Sequence, residues 1–420
     1  MVNSVPTENR YEAIEELRKR IEEPSFNRQA QDNLQNSDAT NRPPEYSPVD
    51  TSPETNGWNN LIALVAFMGC FRFILVNIVE LGWLVQIPFC KLTLKELVWI
   101  VFYVLFYNIR ILAFYLISRF KIPAICYISV TEAVVAFLIF RNISKTTISA
   151  FLYTYSVVAN MKMISYLLSA DDKNFTKYLE FLIFPTLVYK DSYKRKSKCN
   201  FKTIAKCSVK LLFSLFLFCF LMDQHAVPAF FRVILLHSLN SFIDGLFNFC
   251  LASIILFNLF FKIFFDYTIS IICELTSFDE KVYGEWWNSR SSEEFWSKWN
   301  IPVHAFVKKH MYSPLVSSGV DKHAASLLCF LLSGALHEYV VSLSLKSFNG
   351  WFLIGMVVQI PLHFVSNYVK RKYPSLGNIF FWLSFCVIGQ PMLIILIYRT
   401  FYIKNNIDLH NYNRFIHTIM

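Results

Sequence analysis

Glycine is scarce in this chain, at 11 of 420 residues, against roughly 7% in an average protein. Coupled transporters usually need Gly or Pro interruptions, broken helices and repeats related by symmetry. Neither an internal repeat nor such paired interruptions occurs, which argues against that class. A CxxC pair is also missing among the ten scattered cysteines. Most of them sit in apolar runs and read as small membrane hydrophobes, not as a disulfide framework or a metal site. A GxSxG stretch is absent, which excludes the nucleophile elbow of serine lipases and esterases. The first residues hold no apolar stretch resembling a secretory signal, so the first true span must direct insertion.

Apolar residues are abundant instead. Hydrophobic residues make up 55% of the chain and Phe alone contributes 42. About 20 apolar residues in a helix cross a bilayer core. Candidate spans lie near 60–87, 95–118, 122–140, 147–168, 208–222, 228–276, 324–345, 350–368 and 378–403. The fold class is therefore all-α, a polytopic membrane bundle of about nine spans. The run 228–276 exceeds one perpendicular crossing. It predicts either one long tilted helix or a short re-entrant piece followed by a span.

Two regions differ from this background. Residues 1–57 are polar and rich in Pro, Ser and Asn, which predicts a disordered tail with one possible short helix over "RYEAIEELRKRIEE". The membrane domain then covers 58–420. Between Ser277 and Lys322 charge rises again, and Trp and Tyr accumulate as membrane interfaces favour. Amphipathic helices in the headgroup plane suit that stretch.

The net charge of +10 is concentrated in loops. "YKDSYKRKSKCNFKTIAK" (Tyr189–Lys206) holds seven bases and one acid. Such a run reads as a cytosolic loop facing anionic headgroups, in preference to a nucleic-acid site.

One residue stands out within the spans. Between Lys322 and Lys346 run 23 residues, about 35 Å of helix, so His337 lies well inside the hydrocarbon slab. An ionisable side chain there should face a cavity or a partner. A dry site favours the uncharged ring, which is the form that accepts a proton. Ser333 and Gly334 lie one turn earlier on the same face and should leave room for a ligand. A structural reading competes, in which the ring merely bonds a neighbouring helix. Glu338 follows directly, points about 100° away and should bind elsewhere in the bundle.

Three motifs extend this reading: "VYGEWWN" (Val282–Asn288), "WNIPVH" (Trp299–His304) and "HEYVVS" (His337–Ser342). They resemble the signatures of the membrane-bound O-acyltransferases, in the branch that esterifies diacylglycerol or sterol with fatty acyl-CoA. The "WNIPVH" wording is similar to that of the diacylglycerol enzymes. "MKMISY" (Met161–Tyr166), "FPTLVYKDSY" (Phe184–Tyr193), "VVQIPL" (Val357–Leu362) and "GQPM" (Gly389–Met392) follow the family's order. Val282 departs from the family pattern, which usually has Phe there.

The resemblance implies a bundle around an intramembrane chamber, with His337 as general base and Asn300 as the second catalytic residue. A competing reading makes Asn300 a helix cap in a polar loop. Gln359 and Gln390, with Met356, are expected near the chamber, although a membrane Gln alone also fits a helix–helix hydrogen bond. Trp299, His304, Tyr312 and Glu338 are further candidates for the substrate path. Lys308, Lys309 and Lys322 could meet the CoA phosphates or serve as interfacial anchors. "EWWN" reads mainly as a shaper of the interfacial helices.

No cofactor or metal is implied beyond acyl-CoA as co-substrate. The expected partners are fatty acyl-CoA, diacylglycerol and membrane lipids, without nucleic acid. The resemblance further implies the endoplasmic reticulum membrane and a homodimer or higher homo-oligomer. A sterol O-acyltransferase on the same fold is the nearest rival; a lipid channel using His337 as a relay is the more distant one. Soluble-domain lipid acyltransferases use His and Asp separated by four residues, a spacing absent here.

Overall fold

One long helix shows how polar and apolar residues are placed in this bundle. In α2 (Leu94–Ile117) the side chains of Tyr103, Tyr107, Arg110 and Phe114 are buried, while Phe102, Leu105, Ile109 and Leu116 are exposed. The buried set recurs at helical spacing. A water-soluble helix would turn its aliphatic face inward; this one turns it outward and keeps tyrosines and an arginine inside. Lipid is the solvent that suits that arrangement.

The computed structural model describes residues 57–85, 92–235 and 239–405; the tail expected over 1–57 lies outside them except for Gly57. Two compact units divide at Cys70. The described part of the first, 57–70, is the opening of α1 (Gly57–Leu81), with Leu64, Val65, Phe67 and Met68 exposed. The second unit holds the remaining helices. They are α3 (Lys121–Asn142), α4 (Thr146–Ser169), α5 (Phe175–Ile183), α6 (Phe201–Leu221), α7 (Val227–Leu235), α8 (Leu239–Phe261) and α9 (Ile269–Thr276). After them come α10 (Ser292–Trp299), α11 (Ile301–Val307), α12 (Ser313–Ser317), α13 (Lys322–Leu345), α14 (Trp351–Lys372), α15 (Gly377–Phe381) and α16 (Gln390–Lys404). No strand forms among the described residues; one bridge pairs Arg195 with Phe278.

Among the described residues, eight helices are long and apolar enough to cross a membrane. The expected span at 147–168 is present as α4 but falls outside that group. Its 24 residues are long enough, at about 36 Å, yet it buries Ser149, Ser156, Lys162 and Ser165. Inside the bundle those polar groups find partners, so the helix does not need a continuous apolar surface.

Over 228–276 the described residues form a short helix and a long span, on either side of 236–238. The first part, α7, continues α6 through a π turn at Met222–Ala226, and 236–238 lie outside the described residues. The rest runs from α8 through a second π turn, Lys262–Thr268, into α9. Its apolar span covers 35 residues, about 52 Å, well beyond the ~30 Å of hydrocarbon.

Ion pairs and hydrogen bonds tie the loops at one end of the bundle. Lys190 pairs with Glu280, Lys370 with Glu294, and Asn378 donates to the carbonyl of Ser289. This is the basic end, which also carries Lys194, Arg195, Lys196, Lys198 and Lys202. The stretch 277–321 lies here. Its core is aromatic: Trp286 is buried beside Phe261, Phe295, Trp299 and Trp382. Val282, at the position of departure, is buried with Phe184 and Phe278. The eight described cysteines are all free, and the described residues contain no metal-ligand cluster.

Candidate active site

His337 lies on α13, which packs against α14, α4 and the π turn Lys308–Tyr312. Its Nδ1 is 2.7 Å from the carbonyl oxygen of Ser333. A carbonyl only accepts, so Nδ1 carries a proton, and in the neutral ring Nε2 is the nitrogen with the lone pair. Among the described residues Nε2 has no hydrogen-bond partner. The ring is exposed and lies parallel to Phe352, 5.8 Å between centroids. A helical backbone carbonyl one turn back thus selects the tautomer of the neutral ring and leaves Nε2 unbonded.

Gly334 does something other than leave room for a ligand. A Cβ there would meet Leu353 and Met356 of α14 at 3.0–3.2 Å. The missing side chain is filled by a close helix crossing, in which the Leu353 Cα and Met356 Cβ of α14 come up against Gly334 and leave no room for a ligand there. Met356 is buried at this crossing.

Glu338 is buried, and its carboxylate serves the start of α14. It accepts from the backbone N–H groups of Gly350 at 2.8 Å and Phe352 at 3.0 Å, and from the hydroxyl of Ser342. A helix N-terminus offers unsatisfied donors and a partial positive charge. Within a membrane bundle a carboxylate is an effective cap for it.

Asn300 ends α10 and begins α11. Its Oδ1 accepts from the backbone N–H of Val303 at 3.1 Å, and Pro302 stands in the first turn, where no N–H is needed. The cap is worth about 1 kcal/mol. It uses the acceptor end of the amide and leaves the NH2 end for another task. No hydrogen bond links Asn300 to His337 among the described residues. Their helices meet one and two turns earlier, where Trp296 of α10 packs edge-on against Phe330 of α13, 6.3 Å apart.

Gln359 accepts from the hydroxyl of Ser292 at 3.4 Å, a link between α14 and α10. The Oε1 of Gln390 is buried without a partner. Gly389 before it closes a π turn, where a Cβ would come within 2.8 Å of the Ser384 carbonyl. Trp299 stacks on Phe257 at 4.7 Å within the aromatic core.

A cleft of about 450 Å³ opens at the basic end. Its wall includes Ile301, Pro302 and Ala305 of α11, the helix that Asn300 caps, and the bases Lys190, Lys281, Lys308 and Lys309. Glu280, paired with Lys190, is the acid in it. His304 is exposed on α11 and Tyr312 half-buried on the π turn, neither among the residues lining the cleft. Lys322, the first residue of α13, is also outside that wall.

Two groups of residues escaped the sequence reading. Lys190 and Lys281 lie far apart in sequence, so their meeting in one cleft had no linear signal. Arg110 and Glu132 sit inside apolar runs, a signal that was available. They form an intramembrane ion pair at 3.2 Å.

Among the described residues, a multi-pass helical bundle carries in one span an imidazole whose Nε2 is unbonded, with a cation-lined cleft at one end, an arrangement that suits a membrane-embedded enzyme. The family description "MBOAT, membrane-bound O-acyltransferase family" matches residues 91–398, and the chain belongs to that family. It is similar to diacylglycerol O-acyltransferase 1C of Glycine max, 33% identical over 52% of this chain and 43% of the relative. Diacylglycerol O-acyltransferase 1-1 of Oryza sativa subsp. japonica is 34% identical over 52% and 42%. Diacylglycerol O-acyltransferase 1 of Bos taurus is 31% identical over 59% and 50%. The matches span about half the length of these relatives.

Proposed function

We propose that the chain transfers a fatty acyl group from acyl-CoA to the free hydroxyl of diacylglycerol, forming triacylglycerol, with His337 as general base. The observation that carries this reading is the Nδ1–H···O=C bond to Ser333, which leaves Nε2 as a lone pair inside a membrane span. The acceptor hydroxyl donates to Nε2, and its oxygen attacks the thioester carbonyl as the proton leaves. The carbonyl oxygen becomes an oxyanion, for which the NH2 of Asn300 is the donor. Collapse expels the CoA thiolate, which takes the proton back from the imidazolium. No acyl-enzyme is needed, because the thioester is already activated.

The lysine-walled cleft is the entry for the CoA headgroup. Its phosphates suit Lys308 and Lys309, with Lys190 and Lys281 in the same wall. The positive-inside rule makes this basic end cytosolic. The same reading assigns the chain to the endoplasmic reticulum membrane as a homo-oligomer, with no cofactor beyond the co-substrate.

The test is purified protein given labelled oleoyl-CoA with diacylglycerol and cholesterol in parallel. Labelled triacylglycerol without steryl ester is the expected product. Steryl ester alone would reassign the acceptor, and transfer to neither lipid would overturn the reading.

A further inference from the structure

The residues His337, Glu338 and Tyr339 point in three directions, each about 100° from the last. His337 is open, and Glu338 caps α14. Tyr339 donates its hydroxyl to Glu132 of α3. The Glu132 carboxylate also accepts from Arg110 of α2 at 3.2 Å, Asn160 of α4 at 2.9 Å and the hydroxyl of Ser156 of α4. Arg110 in turn donates to Thr131 and Asn160, both at 2.6 Å, and to the carbonyl of Ile128 at 3.2 Å. Its guanidinium is 1% exposed.

A buried ion pair is costly unless its hydrogen bonds are complete, and removing one partner is worse than never having the pair. This one is nearly saturated, so it fixes α2, α3 and α4 as one rigid body. Among the described residues, α13 makes one hydrogen bond to that body, from Tyr339. Apolar contacts alone resist rotation of a helix about its axis only weakly, because they are not directional. A hydrogen bond two residues from His337 does resist it, as does the Glu338 cap on the third face.

We propose that Glu132, held by Arg110, is a positioning residue: through Tyr339 it sets the rotation of α13 and so aims the His337 ring. The inference rests on His337 acting as the base of the acyl transfer. Misplacing a reacting group by 1 Å costs on the order of 10²-fold in rate.

The test compares Tyr339→Phe with Ser156→Ala in the full-length protein. Both remove one hydrogen bond to Glu132, but only the first frees α13. Tyr339→Phe should lower kcat by about 10- to 100-fold, with the KM for oleoyl-CoA within two-fold of wild type. Ser156→Ala should keep kcat within about two-fold. A second readout is independent of turnover: the rate at which diethyl pyrocarbonate modifies His337, followed by peptide mass spectrometry. It should shift several-fold in Tyr339→Phe and stay level in Ser156→Ala. Equal losses in the two variants, or an unchanged Tyr339→Phe, would overturn the proposal. Wild type that makes no ester would defeat the acyltransfer reading instead, and the modification rates would still decide the positioning.

Discussion

Glu338 and Gly350 lie twelve residues apart, on either side of the turn between α13 and α14, and a 2.8 Å hydrogen bond joins the carboxylate to the backbone N–H. The bond makes the start of α14 depend on the residue that follows His337. Hydrogen bonds to charged groups contribute about 1.5–3 kcal/mol, and leaving the N-terminus of α14 uncapped within the bundle adds to the loss. Glu338→Ala should therefore lower the midpoint of thermal unfolding by several degrees. Glu338→Gln, which keeps an acceptor, should fall between it and wild type. Unchanged unfolding of Glu338→Ala in detergent would show that the cap is not a stabilising contact.

Asn300 uses one end of its amide to cap α11, and the other end is assigned to the oxyanion. Substitution by Asp separates the two roles. Asn300→Asp keeps the capping oxygen and should unfold at the wild-type temperature, while kcat falls about 10²–10³-fold for want of the donor. Asn300→Ala should lose both the activity and about 1 kcal/mol of stability. Full activity in Asn300→Asp would reduce this residue to a cap.

Gly334 permits the close crossing of α13 and α14. Gly334→Ala drives a methyl group to within 3.0–3.2 Å of Leu353 and Met356, and overpacking of that kind costs about 1–3 kcal/mol. The expected result is a lower unfolding midpoint with reduced turnover, because His337 rides on the displaced helix. A variant as stable as wild type would mean that the helices separate without strain.

His310, on the π turn beside the cleft, lies 2.8 Å from the hydroxyl of Ser165. Burial first, and Lys309 second, push its pKa from 6.5 down to about 4. The folded protein keeps this ring neutral where the unfolded chain protonates it. Its contribution to stability is complete above pH 6.5 and is lost as pH falls towards 4. Between pH 7.5 and pH 5 the unfolding midpoint of wild type should drop further than that of His310→Gln. Parallel drops would place the pH sensitivity elsewhere.

The long helices could be read from the sequence because a bilayer demands about 20 apolar residues and little else. Boundaries were harder where the demand relaxes. The helix α4 was legible at 147–168 even though it carries Ser156, Lys162 and Ser165 inward. The π turns at Met222–Ala226 and Lys262–Thr268 leave no local signature, so the chain's passage from α6 into α7 was invisible. His337 and Asn300 were legible as individual residues, one by its place in an apolar run and the other by its motif. What each side chain bonds was not. The space beside Gly334 is taken by residues about 20 positions later, and Tyr339 meets a carboxylate more than 200 residues earlier. Pairings at such separations are decided by packing, which one sequence does not display.

The most direct test of the account is acyl transfer by purified His337→Ala beside wild type, with labelled oleoyl-CoA and diacylglycerol at saturation. Loss of a general base predicts a fall of at least about 10²-fold in labelled triacylglycerol, with membrane insertion and thermal unfolding retained. A correctly folded His337→Ala protein that makes triacylglycerol within ten-fold of the wild-type rate would contradict it.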